Sequence, residues 1–487
     1  MAKFIQNNLL KTDSYKLGGH WNMIPEDVTR TWSYCEDRDG SEFPHTLFFG
    51  AQAIIDEHLT GEVVIQKDLD EILEIGGHHF GDTAGINKKG WQTLIDEYKG
   101  VLPLQINAVP EGTLVPTGNI LFSIIDTDPK GRFQWLGGYY EGLLMKTWMT
   151  SAVATRAYNI VKAITPFIEQ TSMNPEIVKQ FVLHDFGYRS ATTEEHAYMA
   201  GGAVLLATKG TDTVQSIKWL HDKYGANYDE IGFSVPASEH RISMHYGKEG
   251  EEAYLEMMLD KHPKGIVSIV SDTYNVENFI LNIVPKFKDK IIKRWENGSG
   301  PVDRAVFRPD SPRFPGDTPA NQVLWLMESL AATFGTSING KGYMQLHPAV
   351  GTIYGDGLSV PEIVEIYKTL ADNNWDVSSV VVGQGGGLIQ KGLNRDTLRQ
   401  AIKPAAEMVD GVWLPLVKDP LDKSKKSKFG RLKLVEMTNN EGVMGMQTIN
   451  EFHPLYNDAK DILRPKLING ELKNFETLAE IRKRVWA

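Results

Sequence analysis

The chain reads as an α/β protein: an irregular (β/α) TIM-like barrel with an additional α+β domain built from the N-terminal and C-terminal regions. Three observations predict this. From about residue 180 to 420, short apolar runs alternate with amphipathic helical stretches. Polar residues recur at the C-terminal end of those runs, where barrel sites are built. Residues 1–150 instead show short strand candidates broken by Pro and Gly.

The barrel strands are expected at Phe181–Leu183, Val204–Ala207, Ile266–Val270, Ala305–Phe307, Gly351–Tyr354 and Val380–Val382. Near-continuous apolar runs of this kind suit parallel strands covered on both faces. Between them, Glu251–Leu259, Asn321–Phe334 and Pro361–Leu370 read as helices. The last has proline in its first turn and Ile363, Ile366, Tyr367 and Leu370 at helical spacing. In the N-terminal region, Glu62–Ile65, Leu104–Val109, Thr113–Pro116 and Asn119–Ile125 read as strands, and Ala51–Leu59 and Trp91–Tyr98 as helices. After Lys418 come a basic loop, Lys423–Lys428, and strand candidates Leu432–Val435 and Val443–Thr448. The expected division is therefore 1–150 mainly α+β, 151–420 the barrel, and 421–487 packing back on the N-terminal domain.

Bulk properties bound the function. A length of 487 residues carries a prior of about 3 domains, although a barrel absorbs about 250 residues alone. Hydrophobic residues make up 41% and charged residues 23%, enough to bury a large core. The net charge of −11 argues against general nucleic-acid binding but leaves room for a local basic pocket. Cys35 is the only cysteine, so neither an intrachain disulfide nor a cysteine zinc cluster can form. Met1–Leu10 lacks the apolar core of a signal peptide, and no apolar run has transmembrane length. A cytoplasmic protein without membrane contact is expected.

Five segments follow strand-like runs and carry groups suited to a flat ring, a ribose or a phosphate. Phe186 and Arg189 come first, in Leu183-His184-Asp185-Phe186-Gly187-Tyr188-Arg189: a phenyl face for stacking and a guanidinium for oxygen. A buried Phe beside a surface Arg would look the same. Ser234-Val235-Pro236-Ala237-Ser238-Glu239-His240 places a histidine beside an acid, a candidate nucleophile toward phosphoryl groups, though a lone histidine is more often structural. Arg308-Pro309-Asp310 sets opposite charges on one side of an extended path, as a ligand pair or as a structural salt bridge. Tyr354-Gly355-Asp356-Gly357 offers an acid between glycines, for ribose or metal or merely an Asp-Gly turn. Gly383-Gln384-Gly385-Gly386-Gly387 can cradle phosphate on backbone N–H groups, but matches no Walker or Rossmann pattern. Asp212, before Val214–Tyr224, has an alternative role as a helix N-cap. His184 and His196 make a poor zinc pair.

In this order, and together with Thr12-Asp13-Ser14-Tyr15-Lys16, Gly90-Trp91, Ala108-Val109-Pro110-Glu111-Gly112, Thr127-Asp128-Pro129, Lys418-Asp419-Pro420 and Gly430-Arg431-Leu432, these segments resemble the nicotinamide phosphoribosyltransferases along nearly the whole chain. The resemblance implies a pentosyltransferase of NAD salvage. It would make nicotinamide mononucleotide and pyrophosphate from nicotinamide and phosphoribosyl pyrophosphate with Mg2+, as a homodimer with shared active sites. It implies that Phe186 and the partner subunit's Tyr15 sandwich the pyridine ring, and that Arg308 and Asp212 surround the carboxamide. Asp310, Gly355, Asp356, Gly385 and Gly386 would line the ribose and phosphate region, with Arg189 near the nucleotide. Arg38, Arg395, Lys403 and Lys418 would meet phosphates. His240 would be phosphorylated by ATP, with Asp272 beside it, and magnesium would be held mainly through pyrophosphate and water. The absence of a Ser-His-Asp or cysteine nucleophile agrees with this chemistry, because the pyridine nitrogen is already a nucleophile.

Pro312 (where the family usually has glycine), Gln384 and Arg241 depart from the family pattern. The nearest rival is a nicotinate phosphoribosyltransferase, which the Asp212 carboxylate disfavours by repelling the acid. A barrel aldolase or hydrolase would require a Schiff-base lysine or a metal cluster. A non-enzymatic interaction protein is the third reading.

Overall fold

The computed structural model describes residues 7–298, 303–355, 357–422, 425–438 and 444–486. They form two compact units, one of residues 7–155, 220–226 and 393–486, the other of 156–219 and 227–392. The second unit thus ends at 392, short of the limit near 420 expected for the barrel. The reason is strand pairing: Gln400–Val409 runs antiparallel to Val28–Asp37, so this stretch belongs with the N-terminal region.

The first unit is built on a seven-stranded sheet. Its order is Val412–Pro415, Gln400–Val409, Val28–Asp37, Ile120–Asp126, Leu104–Ala108, Arg464–Ile468, Glu471–Leu472, with every neighbouring pair antiparallel. The C-terminal strand Arg464–Ile468 therefore sits beside Leu104–Ala108. Helices Ala51–His58, Gln66–Phe80 and Lys88–Tyr98 accompany the sheet. Their amphipathic faces bury Ile54, Ile55, Leu69, Ile72, Trp91 and Leu94. Trp91 meets Trp135 and Tyr139 edge-on, with ring centres 4.7 and 4.9 Å apart. The expected strand Glu62–Ile65 is reduced to a single bridge between Glu62 and Val101, because Ile65 starts the helix Gln66–Phe80.

The second unit holds six parallel strands: β1 Leu183–Asp185, β2 Gly210–Thr211, β3 Val267–Val270, β4 Ala305–Arg308, β5 Val350–Tyr354 and β6 Val380–Gln384. Their order is β2-β1-β6-β5-β4-β3. Both sheet edges bridge to one short segment: Phe233 pairs with Gly210 and Ala237 with Ser268, each in parallel. Every residue of β3 and β5 is buried, the pattern of strands covered on both faces. Helices Glu194–Val204, Glu251–Lys261, Pro319–Phe334 and Val360–Asp372 alternate with the strands. The last begins on a capping box, in which Ser359 and Glu362 satisfy each other's backbone N–H. Val204–Ala207 is not a strand. Its apolar residues finish the helix Glu194–Val204 and the turn after it, and pairing with β1 waits until Gly210. The fold is thus mixed α/β with a parallel, barrel-like sheet. No described helix is long and apolar enough to cross a membrane.

Candidate active site

The C-terminal ends of the parallel strands carry the chemistry. Phe186 leaves β1 with its N–H bonded to the Gln384 carbonyl at the end of β6, at 2.8 Å. Its ring lies against two glycines. A Cβ at Gly383 would come within 1.9 Å of the ring, and one at Gly355 within 3.1 Å of it and 3.2 Å of Asp310 Oδ1. Here glycine is demanded by close approach rather than by φ. The His184 ring sits 4.9 Å away and the Arg308 guanidinium 6.0 Å.

Asp212 follows β2. Its Oδ1 lies 2.8 Å from His184 Nε2 and accepts from Ser234 Oγ at 2.6 Å. The carboxylate thus turns to β1 and to the bridging segment. Partial burial works to raise its pKa, but His184, Ser234 and Arg308 outweigh it, so the group titrates below the usual Asp range. Asp185, fully buried, holds the loops in place by accepting from Gly187 N (2.7 Å), Thr211 Oγ1 (3.1 Å) and Thr213 Oγ1 (2.7 Å). Burial pushes its pKa up. Sequence reasoning missed Asp185, His184 and Ser234 as site residues. The signal for His184 was available: it is two residues from Phe186 along an extended chain, hence on the same side.

Arg308 and Asp310 meet as expected, Nε to Oδ1 at 3.2 Å, and Arg308 also donates to the Ser238 carbonyl at 3.2 Å. Asp272 links two candidate groups. Its Oδ1 lies 3.1 Å from His240 Nε2, and its Oδ2 accepts the Asp310 N–H at 3.0 Å. Asp272 is buried at 3% side-chain exposure, whereas His240 is 42% exposed and reachable from solvent. Arg241 turns outward, 3.9 Å from Glu239.

At the end of β6, Gly386–Ile389 forms one helical turn. A Cβ at Gly385 would meet the Phe186 carbonyl at 3.3 Å, and one at Gly386 the Ser190 Oγ at 3.2 Å. Gln384 is buried and donates to the Leu358 carbonyl, so it braces the loop from behind. Arg156 clamps the loop's far side through the carbonyls of Gly387 (2.9 Å) and Lys391 (2.8 Å). Arg189 is exposed on the turn Tyr188–Ser190. Asp356 lies outside the described residues.

The remaining candidates belong to the first unit. Tyr15 is 58% exposed and packs edge-on against His20, while neighbouring Lys16 pairs with Glu141 at 2.7 Å. Lys403 loses proton affinity mainly through burial. Glu141 opposes that shift, and Arg38, Lys418 and Lys16 reinforce it, so these four cations share one neighbourhood. Arg38 donates to the Arg399 carbonyl at 3.1 Å. Arg395 pairs with Asp396 at 2.8 Å on an exposed turn. Among the described residues, no three His, Cys, Asp or Glu are grouped to hold a metal.

Residues 7–106 match the family profile of the nicotinamide phosphoribosyltransferase N-terminal domain, and 181–457 that of the nicotinate phosphoribosyltransferase (NAPRTase) family. The chain is 34% identical over 483 residues to a nicotinamide phosphoribosyltransferase of Xanthomonas campestris pv. campestris (strain 8004), covering 98% of each chain. It is 32% identical over 405 residues to one of Acinetobacter baylyi, covering 79% of this chain and 76% of the other. In fold it is similar to a Pyrococcus furiosus nicotinate-nucleotide pyrophosphorylase, with TM-score 0.58, 16% identity, and 100% and 97% of the two chains covered. Human nicotinic acid phosphoribosyltransferase gives TM-score 0.54 at 16% identity, covering 98% of this chain and 92% of the other. By its whole-length likeness, the chain belongs to the nicotinamide phosphoribosyltransferase family.

Proposed function

We propose that this protein makes nicotinamide mononucleotide and pyrophosphate from nicotinamide and phosphoribosyl pyrophosphate. The observation that carries the reading is Asp212, held ionised by His184 and Ser234 one imidazole away from the Phe186 ring. Phe186 supplies a flat platform for the pyridine, Asp212 accepts from the carboxamide N–H, and Arg308 donates to its carbonyl. The ring nitrogen lone pair then forms the bond to ribose C1 as the bond to the pyrophosphate oxygen breaks. No general base is needed, so the task is positioning and charge stabilisation. Asp310 and the backbone of Gly355, Gly385 and Gly386 border the ribose and phosphate. Arg38, Lys403, Lys418 and Arg395 take the leaving pyrophosphate. Asp310 offers a hard carboxylate at the ribose-pyrophosphate end, where magnesium would be held mainly through the pyrophosphate and water, and when bound the ion would neutralise pyrophosphate charge.

The bridges at both edges of the parallel sheet support an irregular (β/α) barrel as its full architecture. The exposed Tyr15 supports a cytoplasmic homodimer in which the partner subunit's Tyr15 closes the ring's second face. ATP would transfer its terminal phosphoryl group to the exposed His240 imidazole, releasing ADP, with Asp272 orienting the ring. His240→Ala would then lose ATPase activity while keeping slow synthesis. The deciding assay supplies phosphoribosyl pyrophosphate, magnesium and either nicotinamide or nicotinate, with products identified by mass. Nicotinamide mononucleotide should dominate; preferential use of nicotinate would overturn the reading.

A further inference from the structure

Two residues after Asp310 stands Pro312, and the chain turns only later, at Gly316, whose φ is 92°. Pro312 fixes its own φ and offers no N–H. The residues that follow close into a clasp against the helix Pro319–Phe334. Arg313 forks onto Asp317, with Nε–Oδ2 at 2.6 Å and Nη2–Oδ1 at 3.1 Å. The Asp317 side chain is 1% exposed and that of Arg313 13%. The guanidinium lies 4.9 Å from the ring centre of Trp325, on that helix, and 5.2 Å from that of Phe314. Buried Gln322, one turn along the helix, donates from Nε2 to the Ser311 carbonyl at 2.6 Å. The Asp310 N–H is tied to Asp272 at 3.0 Å. The segment from Asp310 to Asp317 is therefore pinned at its start, in its middle and at its end.

A buried ion pair is a weak stabiliser, since well-packed apolar side chains often do as well. What a two-point fork adds is orientation: it admits one geometry of the enclosed residues, where apolar contact admits several. The residues so fixed directly follow Asp310. The Phe186 platform is set instead by β1 and β6 through their own backbone pairing.

We propose that Arg313 and Asp317 are positioning residues whose fork sets Asp310 and Ser311 for the ribose-pyrophosphate end of the substrate, leaving the pyridine end to the strands. This rests on the functional reading above and adds to it a division of labour within the site.

Steady-state kinetics with both substrates varied tests it. Asp317→Asn keeps the shape but breaks the charged fork. Arg313→Met combined with Asp317→Leu removes both charges and strands neither. Each should raise KM for phosphoribosyl pyrophosphate by about tenfold and that for nicotinamide, which Asp310 reaches only through Arg308, by no more than about threefold. Arg313→Lys, keeping the charge but only one contact, should fall between. If the single variant does not fold, the double variant decides. An unchanged phosphoribosyl pyrophosphate KM, or equal rises for both substrates, overturns the clasp. Wild-type protein that makes no mononucleotide overturns the functional reading instead.

Discussion

The C-terminal ends of the parallel strands (the mouth of the second unit's sheet) and the basic cluster of the first unit handle charge in different ways. At the mouth, each charged group has a fixed partner: Asp212 has His184 and Ser234, Arg308 has Asp310, and Asp272 has His240 and a backbone N–H. In the cluster, Arg38, Lys403, Lys418 and Lys16 crowd together with Glu141 as the acid that offsets them. The mouth is preorganised, which suits discrimination between similar rings. The cluster concentrates positive field with one acid against four cations, which suits a polyanion whose shape matters less than its charge. Under the proposed function, specificity and affinity would be written in different parts of the chain.

The sharpest test of that contrast is Asp212→Ser. Like charges at about 4 Å in a partly buried site repel by about 4 kcal/mol, and His184 and Arg308 offset part of this. The ratio of nicotinamide to nicotinate use should fall by about a hundredfold, measured as competing kcat/KM values. An unchanged ratio would remove Asp212 from recognition. Gly383→Ala tests whether the mouth tolerates displacement. Its Cβ would fall 1.9 Å from the Phe186 ring, so the ring must move and kcat/KM for nicotinamide should drop by some tenfold or more.

In the cluster the same kind of change should be mild. Lys418 is exposed, and Lys418→Met should raise the phosphoribosyl pyrophosphate KM only about threefold, with the difference fading as salt rises. A salt-independent loss would mean that Lys418 makes an oriented contact of the type found at the mouth. The smallest effect concerns Asp37, at the buried end of the strand that leads into Arg38. Burial pushes its pKa up to about 7 against the bonds from Thr46 and Gln400. The folded state therefore binds this proton more tightly than the unfolded chain. Its stabilising contribution is complete below the usual Asp value near 4 and is lost as pH rises through 7. Asp37→Asn should flatten the fall of melting temperature between pH 4 and 8 by a few degrees.

Sequence reasoning found the regions whose pattern is set locally. Val267–Val270, Ala305–Arg308, Val350–Tyr354 and Val380–Gln384 were legible as buried strands because both faces are apolar. The helix Val360–Asp372 declared itself through Pro361 and its periodic core residues. Gly210–Thr211 was not legible: a two-residue strand has no period, and the more apolar Val204–Ala207 beside it is a helix end. Nor could composition reveal that Gln400–Val409 pairs with Val28–Asp37, since that partnership spans more than 360 residues of chain. At the site, Phe186, Arg308 and Asp310 stood out by residue type. Asp185 did not, because its role is to receive bonds from Thr211 and Thr213, which only the fold brings near.

The segment from Phe233 to Ser238 has a further consequence for how this sequence can vary. It meets both sheet edges largely through backbone groups, at Gly210 and at Ser268, with Ser238 Oγ also accepting the Val270 N–H at 3.0 Å, so side chains other than those of Ser234 and Ser238 are freer to vary. Its length is not free. One added or deleted residue would rotate everything downstream to the other side. Ser234 would leave Asp212 and Ser238 would leave the Arg308 anchor, while the edges could no longer both be met. Laboratory diversification of this stretch should therefore yield many viable substitutions and almost no viable insertions or deletions.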